Sequence, residues 1–149
     1  MTRGKWAAVS VVVVVLATPI IALALWRIPP SPEALKSQLN SKRTELNALV
    51  QLMRGSNKRV LLISDEDVRT QMESAGVKRV LRTDEGVELT VWAFGFPGTD
   101  TARGFVWSST PLPNEFACLS PSCFPANFIP KRWERVYERV DAEWAIFAF

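Results

Sequence analysis

Val77-Lys-Arg-Val-Leu-Arg-Thr83, Asp84-Glu85-Gly86 and Val87-Glu-Leu-Thr-Val-Trp-Ala-Phe94 follow one another without interruption, and their reading decides the fold. The outer segments are rich in β-branched and apolar residues and the middle one carries turn chemistry, so together they predict a β-hairpin. Side chains alternate along a strand. Val87, Leu89, Val91 and Ala93 are therefore expected on one face, with Glu88, Thr90, Trp92 and Phe94 on the other. A sheet with an apolar face must bury it against another layer, and the segments upstream supply helices for that purpose.

Gly76 closes a short helix that reads back through Ala75 to a start at Ser64, with Asp65-Glu66-Asp67 in its first turn. Three adjacent carboxylates could suggest metal binding or acid–base chemistry. At a helix N-terminus, however, acids are already favoured by the exposed N–H groups and the dipole. Arg59-Val-Leu-Leu-Ile-Ser64 before it is a compact apolar run and reads as a strand. Further back, Ser31 as cap, Pro32 at the first helical position and Glu33 in the first turn begin a long helix. It is expected to run to Arg54 and to end at Gly55. Its apolar positions Leu35, Leu39, Leu46, Leu49 and Met53 form a heptad seam that Lys42 interrupts. The seam is either a face packed on the domain's own sheet or a self-associating stalk.

Downstream of the hairpin, residues 95–100 read as a loop and Gly104-Phe-Val-Trp-Ser108 as a further strand. Residues 109–130 contain Pro111, Pro113, Pro121, Pro125 and Pro130 and cannot form one regular element. A last hairpin uses residues 133–140, a turn near Asp141-Ala142, and residues 143–149. There Trp144, Ile146 and Ala148 point one way, and Ala145, Phe147 and Phe149 the other. Both faces are apolar, so this strand should be covered on both sides. The expected fold is α+β: a long helix and a short helix packed on a small antiparallel meander.

Gly104-Phe105-Val106-Trp107-Ser108, Pro111, Pro113, Tyr137 to Val140 and Trp144-Ala145-Ile146-Phe147 make up most of the last third of the chain. In these segments and in its overall layout the chain resembles small single-pass bacterial membrane-anchored proteins of unknown function. In that pattern an exported α+β domain closes with an aromatic hairpin. The resemblance implies no activity, since none is assigned to such proteins.

The N-terminus explains the layout. Trp6 to Trp26 is a run of 21 residues without a charge, preceded by Arg3 and Lys5 and closed by Arg27. As a helix it would span roughly 31 Å, matching a hydrocarbon core of ~30 Å. Trp6 and Trp26 stand where indoles favour the headgroup level. Residues 1–27 are thus expected to be a transmembrane anchor in the lipid bilayer, residues 28–32 a Pro-rich linker, and residues 33–149 an exported domain. The N-terminus would be cytoplasmic, and the domain periplasmic in a Gram-negative cell. Pro19 followed by Ala22-Leu23-Ala24 also allows a cleaved signal peptide, which exports the domain equally.

In an oxidising compartment, Cys118 and Cys123 with four residues between them are expected to form a disulfide. Free thiols and a redox pair are the alternatives. A zinc site would lack two ligands, because the chain has two cysteines and no histidine. The missing histidine also removes His-containing triads and HExxH sites. No cofactor is expected.

The chain has 18 Lys+Arg and 15 Asp+Glu, but three of the bases flank the apolar run and no acid precedes Glu33. Residues 28–149 are therefore neutral, so no nucleic-acid partner is expected. The leading expectation is a non-enzymatic accessory domain that binds another envelope protein. Its tryptophans beyond the anchor (Trp92, Trp107, Trp133, Trp144) belong to a residue type favoured at interface hot spots. An immunity or inhibitor protein against an envelope-acting toxin is the second reading. An envelope hydrolase is the third, with paired carboxylates drawn from Glu88, Glu134, Glu138 and Glu143.

Overall fold

Residues 28–95, 101–130 and 134–149 are described by the computed structural model of the chain. The expected anchor over residues 1–27, with Arg3, Lys5, Trp6, Trp26 and Arg27, lies outside them. Among the described residues no helix is long and apolar enough to cross a membrane.

Helix α1 (Pro32–Ser41) begins as its sequence dictates: Ser31 Oγ accepts the Ala34 N–H at 3.1 Å, and Pro32 occupies the first position. The expected single long helix is in fact two. It breaks at Lys42, whose φ and ψ of −116° and 17° leave the helical region, and resumes as α2 (Arg43–Gly55). A continuous helix would have carried the Lys42 ammonium into the buried seam, an expensive place for an unpaired charge. The break leaves Lys42 half-buried instead. Leu35, Leu39, Leu46, Leu49 and Met53 are all 0% exposed in the domain's own core, which is the packed-face reading of the seam.

Strand β1 (Val60–Leu62) is shorter than the apolar run around it. Helix α3 (Arg69–Ala75) starts four residues later than expected, with Val68 rather than Ser64 at its N-cap and no side-chain capping bond. The acid next to that serine does something else. Asp65 accepts the Leu62 N–H at 3.2 Å and donates its own N–H to the Leu62 carbonyl at 2.9 Å. This occupies the outward backbone groups of Leu62 at the end of an edge strand, a common protection against unwanted pairing. Helix α3 ends as expected at Gly76, in the left-handed region with φ 71°.

Strands β2 (Arg79–Arg82), β3 (Val87–Phe94), β4 (Thr101–Trp107), β5 (Glu115–Phe116), β6 (Val136–Arg139) and β7 (Trp144–Ala148) join β1 in one seven-stranded sheet. Its order is β1-β2-β3-β4-β7-β6-β5. The meander expectation holds for β1 to β4 and for the closing β6–β7 hairpin. It fails in between: after β4 the chain crosses to the far edge, and β5 pairs with β6 in parallel.

Residues directly opposite on paired strands share a face. Val80, Leu89, Phe105, Ile146 and Glu138 stand opposite one another across five strands on one face. That face packs under the three helices, with Trp144 and Phe105 edge to face at 6.5 Å between centroids. Leu81, Glu88, Val106, Ala145 and Arg139 line the opposite face, beside Tyr137 and Phe147. Trp144 and Ile146 thus enter one core cluster, and Ala145 and Phe147 the other, as their alternation implied. In β3 the alternation is interrupted. A bulge between Thr90 and Trp92 makes Val91 an extra residue, so Trp92 and Phe94 are turned away from the face that holds Glu88 and Thr90.

Candidate functional site

The crossover from β4 to β5 and the return to β6 are organised by two neighbouring residues of opposite charge, Glu138 and Arg139. Being adjacent in a strand, they project from opposite faces. Arg139 donates to Glu115 Oε2 from Nε at 3.1 Å and from Nη2 at 2.7 Å. It also donates to the Ser108 carbonyl at 2.8 Å and to the Thr110 carbonyl at 2.9 Å. One guanidinium therefore holds the exit from β4 and the start of β5 together, through the forked donor geometry that only arginine supplies. Its hydrogen bonds hold the Glu115 carboxyl below its ordinary value.

On the helical side, Glu138 is only 5% exposed; its carboxylate accepts the Leu119 N–H at 3.1 Å and pairs with Lys36 of α1. Asn114, with φ 54°, donates to Glu134 Oε1 at 3.0 Å, and its carbonyl accepts the Tyr137 N–H at 3.0 Å. Both ends of the Pro-rich segment are thus fixed to the sheet.

Between them, residues 116–130 contain no charged side chain. Cys118 and Cys123 lie at disulfide distance, with Cα atoms 5.6 Å apart, around a short 3-10 turn, Pro121–Cys123, that Ser120 caps. Phe116, Phe124 and Phe128 form a closed trio beside the pair, with centroid separations of 4.8, 4.8 and 5.4 Å. The rings are half-buried, and neighbouring Ile129 is 82% exposed. Aromatic pairs at these distances add attraction beyond the area they bury. The loop thus has a small core of its own, which sequence reading missed. The signal was a phenylalanine within two residues of each cysteine, Phe116 before Cys118 and Phe124 after Cys123.

The four glutamates considered as a catalytic pair are placed apart. Glu88 and Glu138 project from opposite faces, so the sheet itself separates them. Glu134 is engaged by Asn114, and Glu143 is exposed beyond the end of β6. Glu88 is the most deeply buried, 2% exposed, with Arg135 Nε at 2.7 Å and Arg79 Nη2 at 3.7 Å. Burial raises its carboxyl above the ordinary value, against the lowering effect of Arg135 and Arg79. Burial likewise pushes the Tyr137 phenol up to about 12. Glu88 is thus a buried carboxylate held between two partly exposed guanidiniums.

Asp65, Glu66 and Asp67 do not converge on a metal site. Lys58 Nζ lies 3.9 Å from the carboxylates of Asp65 and Asp67, and Glu66 pairs with Arg69. No group of three or more potential metal ligands occurs among the described residues. Two concavities among the described residues flank the β2–β3 turn. One of about 370 Å³ is lined by Arg54, Arg82, Trp107 and Ser108, with the Arg54 guanidinium 5.0 Å over the Trp107 ring. Its other arginine is committed to structure, since Arg82 donates to the Met53 and Ser56 carbonyls at the end of α2.

Comparison with known protein families, curated proteins and solved structures finds no match to this chain.

Proposed function

We propose that the chain is a membrane-anchored, exported accessory domain that binds another protein of the cell envelope through residues 116–130. The observation that carries this reading is the combination of rigidity and missing charge in that loop. It holds fifteen consecutive uncharged residues, cross-linked by Cys118 and Cys123 and packed on three phenylalanines. A loop fixed before binding loses little conformational freedom on association. Half-exposed aromatic rings are also efficient anchors in a partner's pocket. The apolar run from Trp6 to Trp26 supports the anchor, and a disulfide suits an oxidising compartment.

The test is affinity capture from native membranes with the wild-type chain and with a Phe128→Ser, Ile129→Ser double variant. The reading expects a reproducible partner that the variant loses while its thermal unfolding stays close to wild type. A partner retained in full by the variant, or none captured by either chain, refutes it. A membrane-impermeant maleimide tests placement separately: labelling in intact cells only after reduction supports export with a closed disulfide. Ready labelling without reductant, and only after lysis, refutes both.

A further inference from the structure

Arg103 Nη1 donates to the Pro30 carbonyl at 2.6 Å, and α1 begins two residues later at Pro32. The link between Arg27, which closes the apolar run, and the body of the domain is therefore not a slack tether. Three residues reach at most ~10 Å even when fully extended. If the apolar run ends in a bilayer surface, the end of the sheet that holds Pro30 lies close to that surface.

That end has the chemistry for such a place. Arg103 is paired with Trp92 in the β3–β4 ladder, and Phe94 with Thr101 lies further along the same two strands. Phe94 is 44% exposed, and its ring stacks with Trp92 at 6.3 Å between centroids. The bulge at Val91 decides this placement by turning both rings away from the face that holds Glu88. An exposed aromatic ring with an arginine nearby suits the headgroup layer, where rings prefer the boundary and cations meet lipid phosphates.

We propose that the β3–β4 end of the sheet is a foot on the bilayer, with Phe94 seated among the lipid headgroups and the domain held close against the membrane. This rests on the anchor reading above and adds to it a fixed orientation. The foot end faces lipid, and the β2–β3 turn at Asp84 and Glu85, roughly 23 Å away along β3, points into the aqueous compartment.

The experiment uses the full chain in nanodiscs containing anionic lipid, with its disulfide intact. Phe94→Cys and, as the distant control, Glu85→Cys are each labelled with an environment-sensitive fluorophore. Lipids carrying a nitroxide near the headgroup are then introduced. The expected result is a blue-shifted label at position 94, quenched several-fold more than the label at position 85. Equal quenching at both positions, in protein that alkaline carbonate does not extract, overturns the foot and leaves the anchor standing. A blue-shifted label at 94 that the nitroxide lipid does not quench identifies a protein contact there and also overturns the foot. Extraction by carbonate overturns the anchor and the foot with it.

Discussion

Replacing Gly104 with alanine should damage the centre of the sheet, and the structure gives the size of the effect. Gly104 lies on β4 opposite Thr90, one step before the bulge in β3. A Cβ placed on it would stand 2.1 Å from the Leu89 carbonyl oxygen and 3.0 Å from Thr90 Cα. Carbon and oxygen atoms normally approach to ~3.3 Å, so the two backbones would have to part by about 1 Å. No flexible side chain can absorb that movement, because every atom in the way is main chain. Overpacking of this kind costs ~1–3 kcal/mol, and each ladder hydrogen bond lost nearby adds ~1 kcal/mol. The expected total is ~3–5 kcal/mol, against ~5–15 kcal/mol of stability for a domain of this size. At ~4 °C per kcal/mol, the melting temperature should fall by roughly 12–20 °C.

The assay is thermal and urea unfolding of the purified full chain in micelles, followed by circular dichroism, with Gly55→Ala as the control. Gly55 ends α2 with nothing within 4 Å of an added Cβ, so alanine there should be neutral or stabilising by up to ~1 kcal/mol. If Gly104→Ala unfolds within ~0.5 kcal/mol of wild type, as an ordinary surface substitution would, β3 and β4 do not approach each other as described.

Lys36→Met should cost ~1–3 kcal/mol by leaving the buried Glu138 carboxylate without its cation, while Glu138→Gln should cost less. Urea titrations that do not separate Lys36→Met from wild type would rule out this tie between α1 and β6. Reduction of the Cys118–Cys123 pair should cost up to ~2 kcal/mol, because the loop it closes is short; a larger loss would mean that more of the fold depends on it. Arg139 lowers the carboxyl of Glu115 below its ordinary value of 4.5. A lowered folded-state value adds stability that is complete above 4.5 and lost as the pH falls through the folded value. Arg139→Gln should therefore destabilise the domain near neutrality and flatten the stability profile below pH 4.5; parallel wild-type and variant profiles there would refute the linkage.

Features set by neighbouring residues were legible in the sequence. Ser31 and Pro32 start α1, Gly76 ends α3, and the alternation of Trp144 to Phe147 implied a strand buried on both faces. Each rests on backbone preference or side-chain period, which act over a few residues. The pairing of Cys118 with Cys123 is local in the same sense, being five positions apart. Tertiary packing decided the rest. Lys42 breaks the long helix because of what the seam is pressed against, and the bulge at Val91 re-aims Trp92 and Phe94 with no change in the alternating pattern. The path from β4 to the far edge and the parallel β5–β6 pair join segments whose order no local preference encodes. Glu88 and Glu138, candidates for a carboxylate pair in the sequence, are buried on opposite faces of the sheet. Their partners Arg135 and Lys36 lie far away in the chain, so only folding brings the charges that make burial affordable.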